Sequence, residues 1–266
     1  MSSTMMPSIA LPTGPYDWHS EQHPRAIFEA RLSRLRAVMT VHGATHAIVH
    51  GNGFDHGALH WLTHFTPKLG PAYALVPADG ALRLLFAGGP GMKPSAARLT
   101  WIEDVIALKG IEADAKRWLD ETARGSAPSV GLVEGASMLY GDWQAVQRAG
   151  DGATVALDPD IERLRAEGAG EERVHAERAG EIAALARSEL IRLATPGADL
   201  RAAAIEMERA AYAAGAEDVR IRIGRRPGAA PVTLPDTPLP LLGPTQVALR
   251  VRFAGQHAEA QFVVGG

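Results

Sequence analysis

The chain has 266 residues, 46% hydrophobic and 21% charged, enough for one large or two small domains with a real core and too apolar for disorder. Its 27 basic and 30 acidic residues leave a formal charge of −3, which provides no global field for nucleic acid or an anionic membrane. There is no cysteine, so disulfides, thiolate metal sites, iron–sulfur clusters and a cysteine nucleophile are excluded.

Residues 1–25 are irregular, with Pro, Ser and Gly scattered through them. They lack the basic start and long apolar run of a leader, and no run of about 18 apolar residues follows. The expected compartment is the cytoplasm, without a membrane span. Residues 26–42 are expected to form a helix, with Ile27, Leu32, Leu35 and Val38 on one stripe and Gly43 at its end. A strand over 44–51 and a helix over 54–65 follow. Two apolar runs over 72–89, joined by Pro77-Ala78-Asp79-Gly80, predict a hairpin. A strand over 101–108, a helix over 111–124, a strand over 129–134, a helix over 138–148 and a strand over 153–158 complete an α/β domain at 26–158.

Asp158-Pro159 marks the expected boundary of a second domain, 159–266. Its long helical region, 161–193, is weakened by glycines at 168, 170 and 180. Asp199 is placed to cap a helix over 200–214. Residues 218–224 and 246–253 alternate apolar and polar, as half-buried strands do. The segment between them carries six prolines and must be largely loop. Gly255-Gln256 then turns the second strand into a return strand.

Three groups of residues could carry chemistry. His56, His60 and His64 repeat every four residues in an expected helix, a workable chelate for zinc, copper or nickel, or simply a polar helix face. Arg220 and Arg222 share one face of the first strand, and Arg250, Arg252 and Ala248 one face of the second. His257 and Glu259 share a face of the return strand. If these strands pair, several guanidiniums gather at an anion-binding face suited to a carboxylate or phosphate; the alternative is a solvated face laced by Arg–Glu pairs. Arg225-Arg226 are read as solvated. The glycine-rich stretch 86–95 lacks the ending and the helix of a phosphate loop and is expected to be a mobile hairpin loop. Ser137 stands in no nucleophile elbow, and nothing in the sequence pairs a histidine and an aspartate with it.

From Asp158 onward the order of elements resembles the creatinase/aminopeptidase P (pita-bread, M24-type) family. IERLRAEGAGEERVHAERAGEIAALARSEL looks like that family's linker and first long helix. LATPGADLRAAAIEMERAAYAAGAED is similar to its next helical segment, and LGPTQVALRVRFAGQHAEA to its metal-binding hairpin. HAIVHGNGFDHGALHWLTHFTP fits the family's small N-terminal domain in outline. The resemblance covers about residues 26–266. It implies an α/β (α+β) architecture: a small creatinase-like N-terminal domain followed by a shortened pita-bread half.

The departures bear on function. Aligned on Gly255, the family's first metal-ligand aspartate falls at Ala248 and its second at Glu259. The histidine expected before the prolines is missing from GAAPVTLPD, and the family's remaining ligands would lie beyond Gly266. A two-metal site needs bridging carboxylates, which one glutamate does not supply, so no cofactor is expected. A divalent metal at His56, His60 and His64 is the alternative. The resemblance then implies a degenerate member that binds a small-molecule or peptide-like ligand through Arg220, Arg222, Arg250 and Arg252. It would be an accessory subunit of a hydrolase, its fold completed by a homodimer or a longer relative. The alternative is a metal-independent hydrolase or lyase that cleaves a C–N bond of a carboxylate-bearing, amino-acid-like or amidino substrate at a shared subunit cleft, with His257 and Glu259 catalytic. A metallo-aminopeptidase of Xaa-Pro type ranks last.

Overall fold

The computed structural model describes residues 17–21, 23–53, 55–123, 127–152, 154–168, 170–224, 232–235 and 237–265. Arg225, Arg226 and most of the arm expected over 1–25 lie outside the described residues. The chain divides into two compact units after Gly168.

The N-terminal unit begins with α1 (Arg25–Val41), β1 (His46–Gly51), α2 (Gly57–Thr63) and the strands β2 (Ala72–Pro77) and β3 (Arg83–Phe86). It continues through α3 (Lys93–Ala97), β4 (Asp104–Ala107), α4 (Ile111–Thr122), β5 (Val130–Val133), α5 (Tyr140–Ala149), β6 (Thr154–Ala156) and α6 (Asp158–Glu167). The strands make a mixed sheet in the order β4-β3-β2-β1-β5-β6. β1, β2 and β3 pair antiparallel, while β1 with β5, β3 with β4 and β5 with β6 are parallel.

This sheet is buried on both faces, which is why β1 and β2 are apolar apart from His46 and His50. Ala47, Val49, Ala74 and Val76 point into one core, with Leu35, Met39, Leu59 and Leu62 from α1 and α2. Ile48, Tyr73 and Leu75 point into the other, with Trp118 and Leu119 of α4 and Val146 of α5. The glycine-rich stretch is not the expected loop: Pro90–Met92 form a turn of 3₁₀ helix and α3 follows directly. Pro94 sits in the first turn of α3, where its missing N–H costs nothing.

Asp158 and Pro159, the expected domain boundary, instead open α6, whose Ile161 and Leu164 pack into the N-terminal core. The long helical region expected over 161–193 is divided at one of its weakening glycines: Gly168 takes φ +58° between α6 and α7 (Gly170–Leu193). α8 (Leu200–Ala213) follows, with the Asp199 carboxylate accepting from Arg201 N at 3.0 Å as the cap. The C-terminal unit then forms an antiparallel sheet in the order β10-β9-β7-β8, from β7 (Asp218–Gly224), the two-residue β8 (Val232–Thr233), β9 (Thr245–Phe253) and β10 (Gln256–Val264). Ile221, Ile223, Val247, Leu249 and Val251 face Ile182, Leu190, Ala204 and Met207 of α7 and α8. The opposite face carries the polar residues. No helix among the described residues is long and apolar enough to cross a membrane.

Candidate functional site

The register of the C-terminal sheet sets the arginines in rows. Asp218 lies across from Arg252 and Arg252 from His257; Arg220 across from Arg250 and Arg250 from Glu259; Arg222 across from Ala248 and Ala248 from Gln261. Neighbouring strands are about 4.8 Å apart and same-face residues about 6.7 Å apart along a strand. One patch therefore holds all six residues that the sequence marked as catalytic or substrate-binding.

Their pairings are specific. Arg220 Nε donates to Asp218 Oδ2 at 2.9 Å, Arg250 Nε lies 3.5 Å from Glu259 Oε1, and Arg252 Nε lies 3.3 Å from the buried Glu217 carboxylate. Glu217 also accepts from Ala254 N and Gly255 N at 2.8 and 3.2 Å. Burial nevertheless pushes its pKa up, outweighing the help of Arg252. Arg222 is exposed and makes no ion pair among the described residues. His257 falls to about 4, first through partial desolvation and then through Arg250 and Arg252, so it is neutral at pH 7. His257 and Glu259 share a face two residues apart, across from Arg252 and Arg250.

Beside this patch, α8 and the outer side of β7 enclose a cavity of about 420 Å³, lined by Arg201, Ile205, Glu208, Ile221, Arg222 and Thr233 among others. Burial and Asp218 both raise the pKa of Glu208.

His56, His60 and His64 are not three residues of one helix. α2 covers only Gly57–Thr63, with His56 at its N-cap and His64 ending it in the left-handed conformation at φ 63°. Each ring uses Nδ1 locally: His56 lies 3.0 Å from Asn52 O, His60 3.2 Å from Thr66 Oγ1 and His64 3.2 Å from Leu99 O. The ring centroids of His56 and His60 are 6.5 Å apart, and those of His60 and His64 5.2 Å. Among the described residues, no group of three or more His, Asp or Glu is arranged to hold a metal ion.

A polar cluster that the sequence did not signal lies where β1 and β5 end side by side, with α2 and α5 leaving to opposite faces of the sheet. Crevices of this kind bind ligands in open α/β sheets. Glu134, at φ 58°, caps α2 from outside by accepting from Ala58 N at 2.6 Å. Arg165 Nη1 lies 3.5 Å from the same Oε1, and Oε2 is buried without a hydrogen-bond partner among the described residues. Burial raises Glu134 to about 7. The structure does bring a histidine to Ser137, with His50 Nδ1 3.1 Å from its Oγ. The Ser137 hydroxyl also lies 3.0 Å from Glu134 O, as His50 Nδ1 does at 3.3 Å, and burial lowers the pKa of His50.

Among the described residues, the two metals implied by the resemblance find no matching donor set on the C-terminal face. Ala248 stands between Arg222 and Gln261, and the carboxylates of that face are each beside an arginine, Glu259 at Arg250 and Asp218 at Arg220. Guanidiniums in that position repel the cations that bridging carboxylates would hold.

A sequence profile of the Creatinase/Prolidase N-terminal domain matches residues 31–166. No curated protein matches the sequence. Among solved structures, the fold is similar to a prolidase from Pyrococcus horikoshii OT3, with TM-score 0.68, 17% identity, and 89% of this chain and 65% of that one covered. It is similar to an X-Pro aminopeptidase from Thermotoga maritima MSB8 at TM-score 0.72 and 16% identity, over 88% of this chain and 64% of that one. An Xaa-Pro dipeptidase from Bacillus anthracis gives TM-score 0.65 and 16% identity, over 90% and 65%. The chain thus spans about 65% of the length of the first of these structures. With the profile covering half of its residues and the pita-bread architecture extending through the second unit, the chain belongs to the creatinase/prolidase family.

Proposed function

We propose that this chain binds a small carboxylate-bearing ligand on the polar face of its C-terminal sheet without a dinuclear metal centre, as a binding or accessory subunit of a hydrolase. One observation carries the reading: the row that the resemblance assigns to the first metal-ligand aspartate is Arg222–Ala248–Gln261, and the next is Arg220–Arg250–Glu259. A planar guanidinium matches a carboxylate with two parallel hydrogen bonds. Arg222 has no competing ion pair among the described residues, and Arg250 is held only loosely by Glu259. In this reading the chain acts together with a second copy or with a longer relative.

Calorimetric titration with succinate and glutarate tests this. The wild type should bind, and Arg250→Ala and Arg222→Ala should each weaken binding at least tenfold. Equal binding by both variants, or none by the wild type, would sink the proposal. A second reading is favoured by His257 and Glu259 standing at alternate positions on the same face as the arginines: that face acts as a metal-independent C–N hydrolase or lyase. It differs in that an amide or amidino analogue of the bound acid is consumed during the titration, not merely bound.

A further inference from the structure

The outer edge of β7 is distinct from the polar face. β8 pairs only with Arg222 and Ile223, so Asp218–Ile221 have β9 on one side and no strand on the other among the described residues. α8 runs back alongside this edge, and the cavity of about 420 Å³ lies between them. An open strand edge beside a helix is the geometry that accepts an added peptide strand.

The groove is electrically polar along its length. At one end are Arg222 and, from the start of α8, Arg201, whose Nη1 bonds Pro235 O at 2.6 Å just past β8. At the other, farther along α8, is Glu208, which lies close enough to Asp218 to be perturbed by it, while Asp218 itself is paired with Arg220. Asp218 and Arg222 are four residues apart, about 13 Å in an extended strand. That is the span of an extended tetrapeptide between its charged ends. β8 closes the basic end, so an added strand must stop beside Arg222. Ala204, Ile205 and Ile221 give the middle an apolar floor for small side chains.

We propose that the β7 edge binds a short extended peptide with free ends by strand addition parallel to β7, its carboxylate at Arg222 and Arg201 and its ammonium at Glu208. This does not rest on the carboxylate reading of the face, with which it shares only Arg220 and Arg222. The probe is tetra-alanine in four forms: free-ended, N-acetylated, C-amidated and doubly blocked. Each is titrated calorimetrically into the full chain, with circular dichroism confirming that the variants fold.

The free-ended peptide should bind, C-amidation should weaken it at least tenfold, and N-acetylation should weaken it several-fold. Glu208→Gln should erase the discrimination against the acetylated form and keep that against the amide; Arg222→Ala should do the converse. Arg250→Ala should leave peptide binding intact even where it abolishes succinate binding, which separates failure of this proposal from failure of the other. Equal binding of amide and acid, end-group selectivity untouched by either substitution, or no binding of the free-ended peptide at millimolar concentration would each overturn it.

Discussion

At the N-terminal crevice, Glu134 holds the start of α2 with one carboxyl oxygen and buries the other without a partner among the described residues. Its folded pKa stands at about 7 against 4.5 for the free group. Between those values the native state binds the extra proton, so stability falls as pH rises from about 4.5 through 7, by up to about 3 kcal/mol. Glu134→Gln removes the charge and keeps an acceptor for Ala58 N. Urea denaturation at pH 5, 6, 7 and 8 should show the loss in the wild type and a flatter profile in the variant, which becomes the more stable of the two at pH 8. Identical slopes would contradict this. None of it was legible in GLVEGAS, because the left-handed backbone and the burial of Glu134 arise from α2 and α6 closing over it. The histidine spacing was legible, but periodicity cannot report that the helix stops at Thr63.

Among the elements, the β9–β10 hairpin shows tertiary contacts overriding turn preference. Its two loop residues, Ala254 and Gly255, have φ of 50° and 75°, a pattern suited to Asn-Gly and strained for alanine. Glu217 holds the turn by accepting both of its backbone N–H groups. Ala254→Gly should relieve that strain and stabilise the chain by about 1 kcal/mol, read as a rise in the urea midpoint with unchanged slope; an unchanged or lower midpoint would show the strain to be absent. The alternating strands β7 and β9 were readable residue by residue, down to the face bearing Arg220, Arg222, Arg250 and Arg252, because one side of the sheet is buried and the other is not. The break at Gly168 and the short helix α3 were not, since a glycine or proline marks a change of path without saying which path follows.

In the whole molecule, each unit has its own core, and the family resemblance carried by short motifs agrees with a profile over residues 31–166 and with folds sharing 15–17% identity. Architecture was therefore legible where burial dictates pattern. The ligand was not, because guanidiniums and carboxylates at alternate positions fit a solvated face as well as a site until register sets them in rows. The proposed function requires that face to have exchanged cation binding for anion binding. Native mass spectrometry from a buffer containing Mn²⁺ probes the exchange, reading assembly and metal mass from one sample. The expected spectrum shows this chain at its metal-free mass in whatever assembly it forms. A chain that carries two manganese ions would be incompatible with the exchange.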